Sequence, residues 1–182
     1  MAKTALLAFI VLSALHVACG RADRSDVPSP NGPKNTTWVL SAAGFGPLVA
    51  GMTSSAAFSA TSGALTVPAD ALSCAYASWP TAPTGVSVMF EGGTLSRVDI
   101  TEAGVCTALG LQVGDLATRA VALYGAVAER RPHKYEVGEY LIVRPVTPSD
   151  TLLRLVIELV EGRVARFRVG RLPAVEYVEG CG

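Results

Sequence analysis

Leu48-Val49-Ala50-Gly51-Met52-Thr53-Ser54-Ser55-Ala56-Ala57-Phe58 has a counterpart 63 residues later, Leu111-Gln112-Val113-Gly114-Asp115-Leu116-Ala117-Thr118-Arg119-Ala120-Val121. In each, a short apolar strand-like run ends at a glycine and a helix-forming run follows. Thr53 or Ser54 in the first copy, and Asp115 in the second, offer a side-chain oxygen to a free first-turn N–H. The second helix is expected to run to about Tyr124 and stop at Gly125.

Strand-like runs follow each helix. After the first come Cys74 to Trp79, Val86 to Phe90 and Leu95 to Ile100. The last two flank Glu91-Gly92-Gly93, a hairpin signal because glycine tolerates the positive φ of tight β-turns. After the second come Tyr140 to Arg144, Leu152 to Val160 and Val164 to Val169, with Glu161-Gly162 between the last two. Arg154, Glu158, Arg163, Arg166 and Arg168 interleave with apolar residues, which predicts one wet face on that hairpin. Pro145 and Pro148 fall in the connection before it, where no ladder N–H is lost.

The expected class is therefore α+β: two similar helix-plus-antiparallel-strand units forming one sheet, with helices packed on one face. Gly51-Met52-Thr53, opening a helix after a short strand, resembles the helix start of the small lipoproteins related to BamE and SmpA. Two such units in tandem resemble the β-lactamase inhibitory protein architecture. The resemblance spans roughly 44–181, and the second half shares only the glycine of the motif. It implies a scaffold that binds other proteins, and it transfers no functional residue.

Charge is balanced, with 15 basic and 15 acidic residues. Nucleic-acid binders usually carry a basic excess, so no nucleic acid is expected as a partner. No Lys or Arg occurs between Lys34 and Arg97, where only Asp70 and Glu91 are acidic. One half is thus nearly neutral at its surface, and the charges concentrate after Arg97.

The start of the chain reads as an export signal, with Lys3 followed by an apolar run from Ala5 to Leu15, too short to span a bilayer as a helix. Cys19, after Val17-Ala18, resembles the lipidated cysteine of a bacterial lipobox, although His16 stands where Leu is usual. Cleavage after Gly20 by an ordinary signal peptidase is the alternative. The expected organisation is a signal peptide over 1–18, a disordered tether over 19–37 and a tandem-repeat domain over 38–182. The tether is almost devoid of apolar residues and would reach about 20–25 Å. Lipid on Cys19 would make the membrane a partner, on the periplasmic side and, by resemblance, at the outer membrane. The released alternative is soluble, periplasmic or secreted.

Little in the mature chain can support chemistry. His133 is its one histidine. There is no Gly-x-Ser-x-Gly elbow, no His-Glu-x-x-His and no Cys-x-x-Cys, and Gly44-Phe45-Gly46 continues into no phosphate-binding fingerprint. Cys106 with His133 could be imagined as nucleophile and base, but a leftover thiol is the simpler account. Neither catalysis, metal nor cofactor is expected. With Cys19 lipidated, three thiols remain and at most one bridge forms. A Cys74–Cys181 disulfide is expected, with Cys106 free. The basic and aromatic patch of Arg131, His133, Tyr135 and Tyr140 is the candidate partner-binding surface, since Arg and Tyr are enriched at interface hot spots; a charged strand edge would look the same. The expected function is a membrane-tethered periplasmic binding or scaffold lipoprotein, or alternatively a secreted or periplasmic enzyme inhibitor.

Overall fold

The computed structural model describes residues 38–68, 73–145 and 151–181, so the expected signal peptide, the tether and Cys19 lie outside the described residues. In chain order the elements are β1 (Val39–Ser41), β2 (Gly44–Phe45), β3 (Leu48–Val49), α1 (Ser54–Ala60), β4 (Cys74–Ala77), β5 (Val86–Glu91), β6 (Thr94–Ile100), β7 (Cys106–Thr107), α2 (Ala117–Tyr124), β8 (Ala128–Pro132), β9 (Gly138–Val143), β10 (Leu153–Val160) and β11 (Arg163–Arg171), followed by a 3₁₀ turn at Ala174–Glu176.

Two tight turns organise the larger sheet. Glu91 pairs with Thr94 around Gly92 and Gly93, at φ 59° and 76°. Val160 pairs with Arg163 around Glu161 and Gly162, at φ 48° and 78°. Positive φ at both central residues matches the right-handed twist of the flanking strands. The resulting hairpins, β5–β6 and β10–β11, sit side by side in a seven-stranded sheet of order β4-β5-β6-β11-β10-β9-β8. Every neighbouring pair is antiparallel, and the central joint sets Val98 opposite Val169 and Asp99 opposite Arg168.

Inward residues of this sheet form the main core, among them Val88, Phe90, Val98, Leu141, Leu155, Ile157, Phe167 and Val169. Both helices cover it from one side, α1 burying Ala57 and α2 burying Ala120 and Tyr124. Their starts keep the 63-residue offset. Thr53 caps α1, its hydroxyl accepting from the Ala56 N–H at 3.2 Å. Asp115 does not cap α2. The residue at the cap is Leu116, and the Asp115 carboxylate instead accepts from the Gln112 N–H and from Arg119. A second, four-stranded sheet of order β3-β2-β1-β7 closes the core with Leu40, Phe45 and Leu48. Its β1–β7 pair is parallel, with Val39 opposite Cys106.

The expected α+β class of two helix-plus-strand units in one sheet is therefore corrected. The described residues form a β-rich fold, 44% strand against 13% helix, with sheets of four and seven strands. Two-residue strands such as β2, β3 and β7 carry no readable alternation. Helices of seven and eight residues are too short to match the sheets in weight.

Candidate functional site

The other face of the large sheet carries charge. Strand alternation puts Arg97 and Asp99 of β6, Arg154 and Glu158 of β10, and Arg166 and Arg168 of β11 on the side away from the helices. This face was expected to be wet; Arg163 is exposed and the Arg166 side chain 40% exposed, but the rest is covered: Arg168 is 2% exposed, Arg97 3%, Asp99 5%, and Arg154 and Glu158 7% each. The cover is the segment after β11, Leu172 to Cys181, which crosses the face as a strap and is joined to β4 by the Cys74–Cys181 disulfide, Cα–Cα 5.5 Å.

Buried charge has to be paired and hydrogen-bonded. Arg97 Nε donates to Asp99 Oδ2 at 2.9 Å, and its Nη1 donates to the Ala174 and Tyr177 carbonyls at 3.1 and 2.7 Å. Arg97 Nη2 reaches the Tyr76 hydroxyl at 3.2 Å. Arg168 Nη1 donates to the same Tyr177 carbonyl at 2.8 Å, while its Nη2 lies 3.7 Å from Glu158 Oε2. Burial pushes the Asp99 carboxyl above its ordinary value, outweighing the pull of Arg97. Burial likewise lowers Arg168, against the pull of Glu158.

The four residues of the sequence-derived patch divide. His133 and Tyr140 lie inside. The His133 side chain is 4% exposed and its ring stacks on Tyr140 at 4.6 Å. His133 Nδ1 accepts from the Tyr135 and Glu136 N–H groups at 3.2 and 2.8 Å, so the ring proton is on Nε2, which donates to Glu158 Oε1 at 3.1 Å. Tyr140 is held between His133 and the Arg168 guanidinium, 5.3 Å from its ring. Arg131 and Tyr135 are more exposed, and both bind the strap: Arg131 Nη1 donates to Glu176 at 3.0 Å and the Tyr135 hydroxyl to Glu179 at 2.6 Å. Arg131 also pairs with Glu129, whose carboxyl it holds below the ordinary value. Much of the patch thus already has a partner in the chain's own strap.

The Cys74–Cys181 pairing agrees with the sequence reading. The free Cys106 does not: Cys106 is disulfide-bonded, and no described cysteine is free. Counting three available thiols had left it no partner. Bridges of this kind persist in oxidising compartments, in keeping with export.

Of an open cleft of about 730 Å³ at the sheet's β8 end, sequence reasoning named one lining residue, Arg131, and missed the rest. It is lined by Arg130, Pro132, Val137, Gly138, Leu159 and Gly162 among others. Arg130 is clamped there by both oxygens of Glu139 at 2.6 Å. Val137, 86% exposed, lines the cleft, and Leu116, 55% exposed, bridges to Arg163 beside it. The signal was a lone valine in a charged loop, which marks nothing until the neighbouring turns are placed. No cluster of three or more metal-ligating side chains occurs among the described residues, and no described helix is long and apolar enough to cross a membrane.

Comparison with family models, with curated proteins and with solved structures finds no match to this chain.

Proposed function

We propose that this chain is an exported, non-catalytic binding protein that engages a protein partner at the β8 end of its large sheet. The observation that carries the reading is the coincidence of an open cleft, an edge strand and the exposed Val137 at one place. Apolar side chains on a polar rim are the usual make-up of such contacts. The resemblance of Gly51-Met52-Thr53 to a protein-binding lipoprotein scaffold points the same way.

Two forms of the reading differ at Cys19. In one, lipid on Cys19 holds the domain near a periplasmic membrane surface as a scaffold. In the other, the domain is released and acts as an inhibitor of an enzyme.

A photo-crosslinking residue at position 137, in cells exporting the full chain, is expected to give a discrete adduct. The same residue at position 58, in the neutral half, is expected to give none. Adducts at 58 and none at 137 would move the surface to the first half. Fractionation with labelled fatty acid, in wild type and Cys19→Ser, separates the tethered form from the released one.

A further inference from the structure

The strap is held differently from the rest of the fold. The main core lies on the helix side of the large sheet. Beneath the strap is a separate small cluster of Tyr140, Ile142, Val156 and Val175, with Leu172 at its edge. The other contacts are those of peptide recognition: sheet arginines to the backbone carbonyls of Ala174 and Tyr177, Arg131 to Glu176, and the Tyr135 hydroxyl to Glu179. Lifting the strap would leave the main core packed. The fit of the present occupant is also incomplete. Among the described residues, the Tyr140 hydroxyl and Arg168 Nε are buried without a hydrogen-bond partner, on side chains 7% and 2% exposed. The Cys74–Cys181 bridge that pins the far end is half-buried, so an attacking thiolate can approach it.

We propose that this face is a peptide-binding groove gated by the Cys74–Cys181 bridge, and that its occupant, once the gate opens, is an extended acidic segment of a partner protein. The segment it fits has an apolar residue followed by carboxylates one and four positions later, the spacing of Val175, Glu176 and Glu179. Arg131 and the Tyr135 hydroxyl select the carboxylates, and Arg97 and Arg168 between them hold the backbone carbonyls. Opening is thiol–disulfide exchange with a dithiol reductant. The dithiol is oxidised to its own disulfide, and Cys74 and Cys181 are each reduced to a thiol, gaining one electron and one proton apiece. This groove shares Arg131 with the cleft at Val137, but its occupant and its test are separate, so either reading can fail alone.

After reduction the strap stays attached through β11 and competes at high effective concentration, so the probe needs its own covalent link. A synthetic peptide of the sequence from Pro173 to Cys181 is offered to the full chain in a glutathione redox buffer, and capture on Cys74 is read by mass spectrometry after proteolysis. A scrambled peptide and one with both glutamates changed to glutamine, each ending in cysteine, are offered in parallel. The native peptide is expected to be captured about tenfold more than the scrambled one, with the glutamine peptide between them. Cys181→Ser is expected to give the same ranking. Equal capture of the three peptides by both proteins, or none, overturns the proposal. So does capture seen only when the chain has unfolded, because a gate that opens by unfolding is not a gate.

Discussion

Arg97 and Arg168, on neighbouring strands, donate to one acceptor, the Tyr177 carbonyl, at 2.7 and 2.8 Å. Two like charges can share an oxygen because carboxylates lie beside both: Asp99 accepts from Arg97 and stands opposite Arg168 across the strands, and Glu158 is 3.7 Å from Arg168. The strap's backbone is thus part of the charge compensation of the sheet.

Removing one member should therefore be costly. Arg97→Ala leaves Asp99 buried without its partner, and a loss of about 3–5 kcal/mol is expected, as for other broken buried pairs. Arg97→Leu combined with Asp99→Leu should cost less than Arg97→Ala alone. Urea denaturation of the three proteins measures this. A double variant worse than the single would show that the pair stabilises the fold in its own right.

Cys74→Ser and Cys181→Ser should each lose stability, and by similar amounts. The bridge spans 107 residues of sequence, for which loop-closure entropy gives about 4–5 kcal/mol as an upper figure. Non-reducing peptide mapping should return a Cys74–Cys181 peptide, and thermal melts with and without reductant give the size of the effect.

The pH dependence around Asp99 has a definite sign. Burial raises its carboxyl above the ordinary 3.8. Just above that value the folded chain holds more protons than the unfolded one, so the contribution of Asp99 to stability grows as pH falls through the folded pKa and shrinks as pH rises. Asp99→Asn removes this dependence. The stability of wild type relative to Asp99→Asn should therefore improve between about pH 7 and about pH 4. Urea titrations across that range check it, and a trend of the opposite sign would mean that Arg97 rather than burial governs the carboxyl.

Arg131 and Tyr140 should respond in contrasting ways. The Arg131 side chain is 44% exposed and its ion pairs are solvated, so Arg131→Ala should change stability by less than about 1 kcal/mol. Tyr140→Phe removes a buried hydroxyl that has no partner among the described residues, and it should be neutral or stabilising by about 1 kcal/mol. Tyr140→Ala, which also empties the space between His133 and Arg168, should cost about 3–5 kcal/mol. Thermal unfolding of the three variants separates these outcomes.

Both hairpins of the large sheet were legible because turn chemistry and alternation agree at Gly92-Gly93 and Glu161-Gly162. The β8 strand was not, because Ala128-Glu129-Arg130-Arg131-Pro132 has neither alternation nor β-prone residues; it pairs because β9 offers an edge beside it. The charged face was misread for a related reason. Alternating Arg and Glu along β10 and β11 look the same whether water or another segment lies over them, and the cover begins only after Arg171. The candidate residues were found but not their roles: the strap that occupies Arg131 and Tyr135 is a tertiary contact that no local pattern announces. Cys106 was misassigned because a count of cysteines does not show which thiols the fold brings together.

The joint between β6 and β11 has a consequence for how the molecule is assembled. The central seam of the large sheet is closed by its last strand, so during synthesis or export the β4–β6 meander waits with the inner edge of β6 unpaired. An open edge of that kind recruits other chains, and pairings this distant in sequence form slowly. Folding of this protein is thus committed only when residues as late as Phe167 and Gly170 arrive opposite Ile100 and Arg97. A chain interrupted before Arg163 would have two half-sheets and no seam.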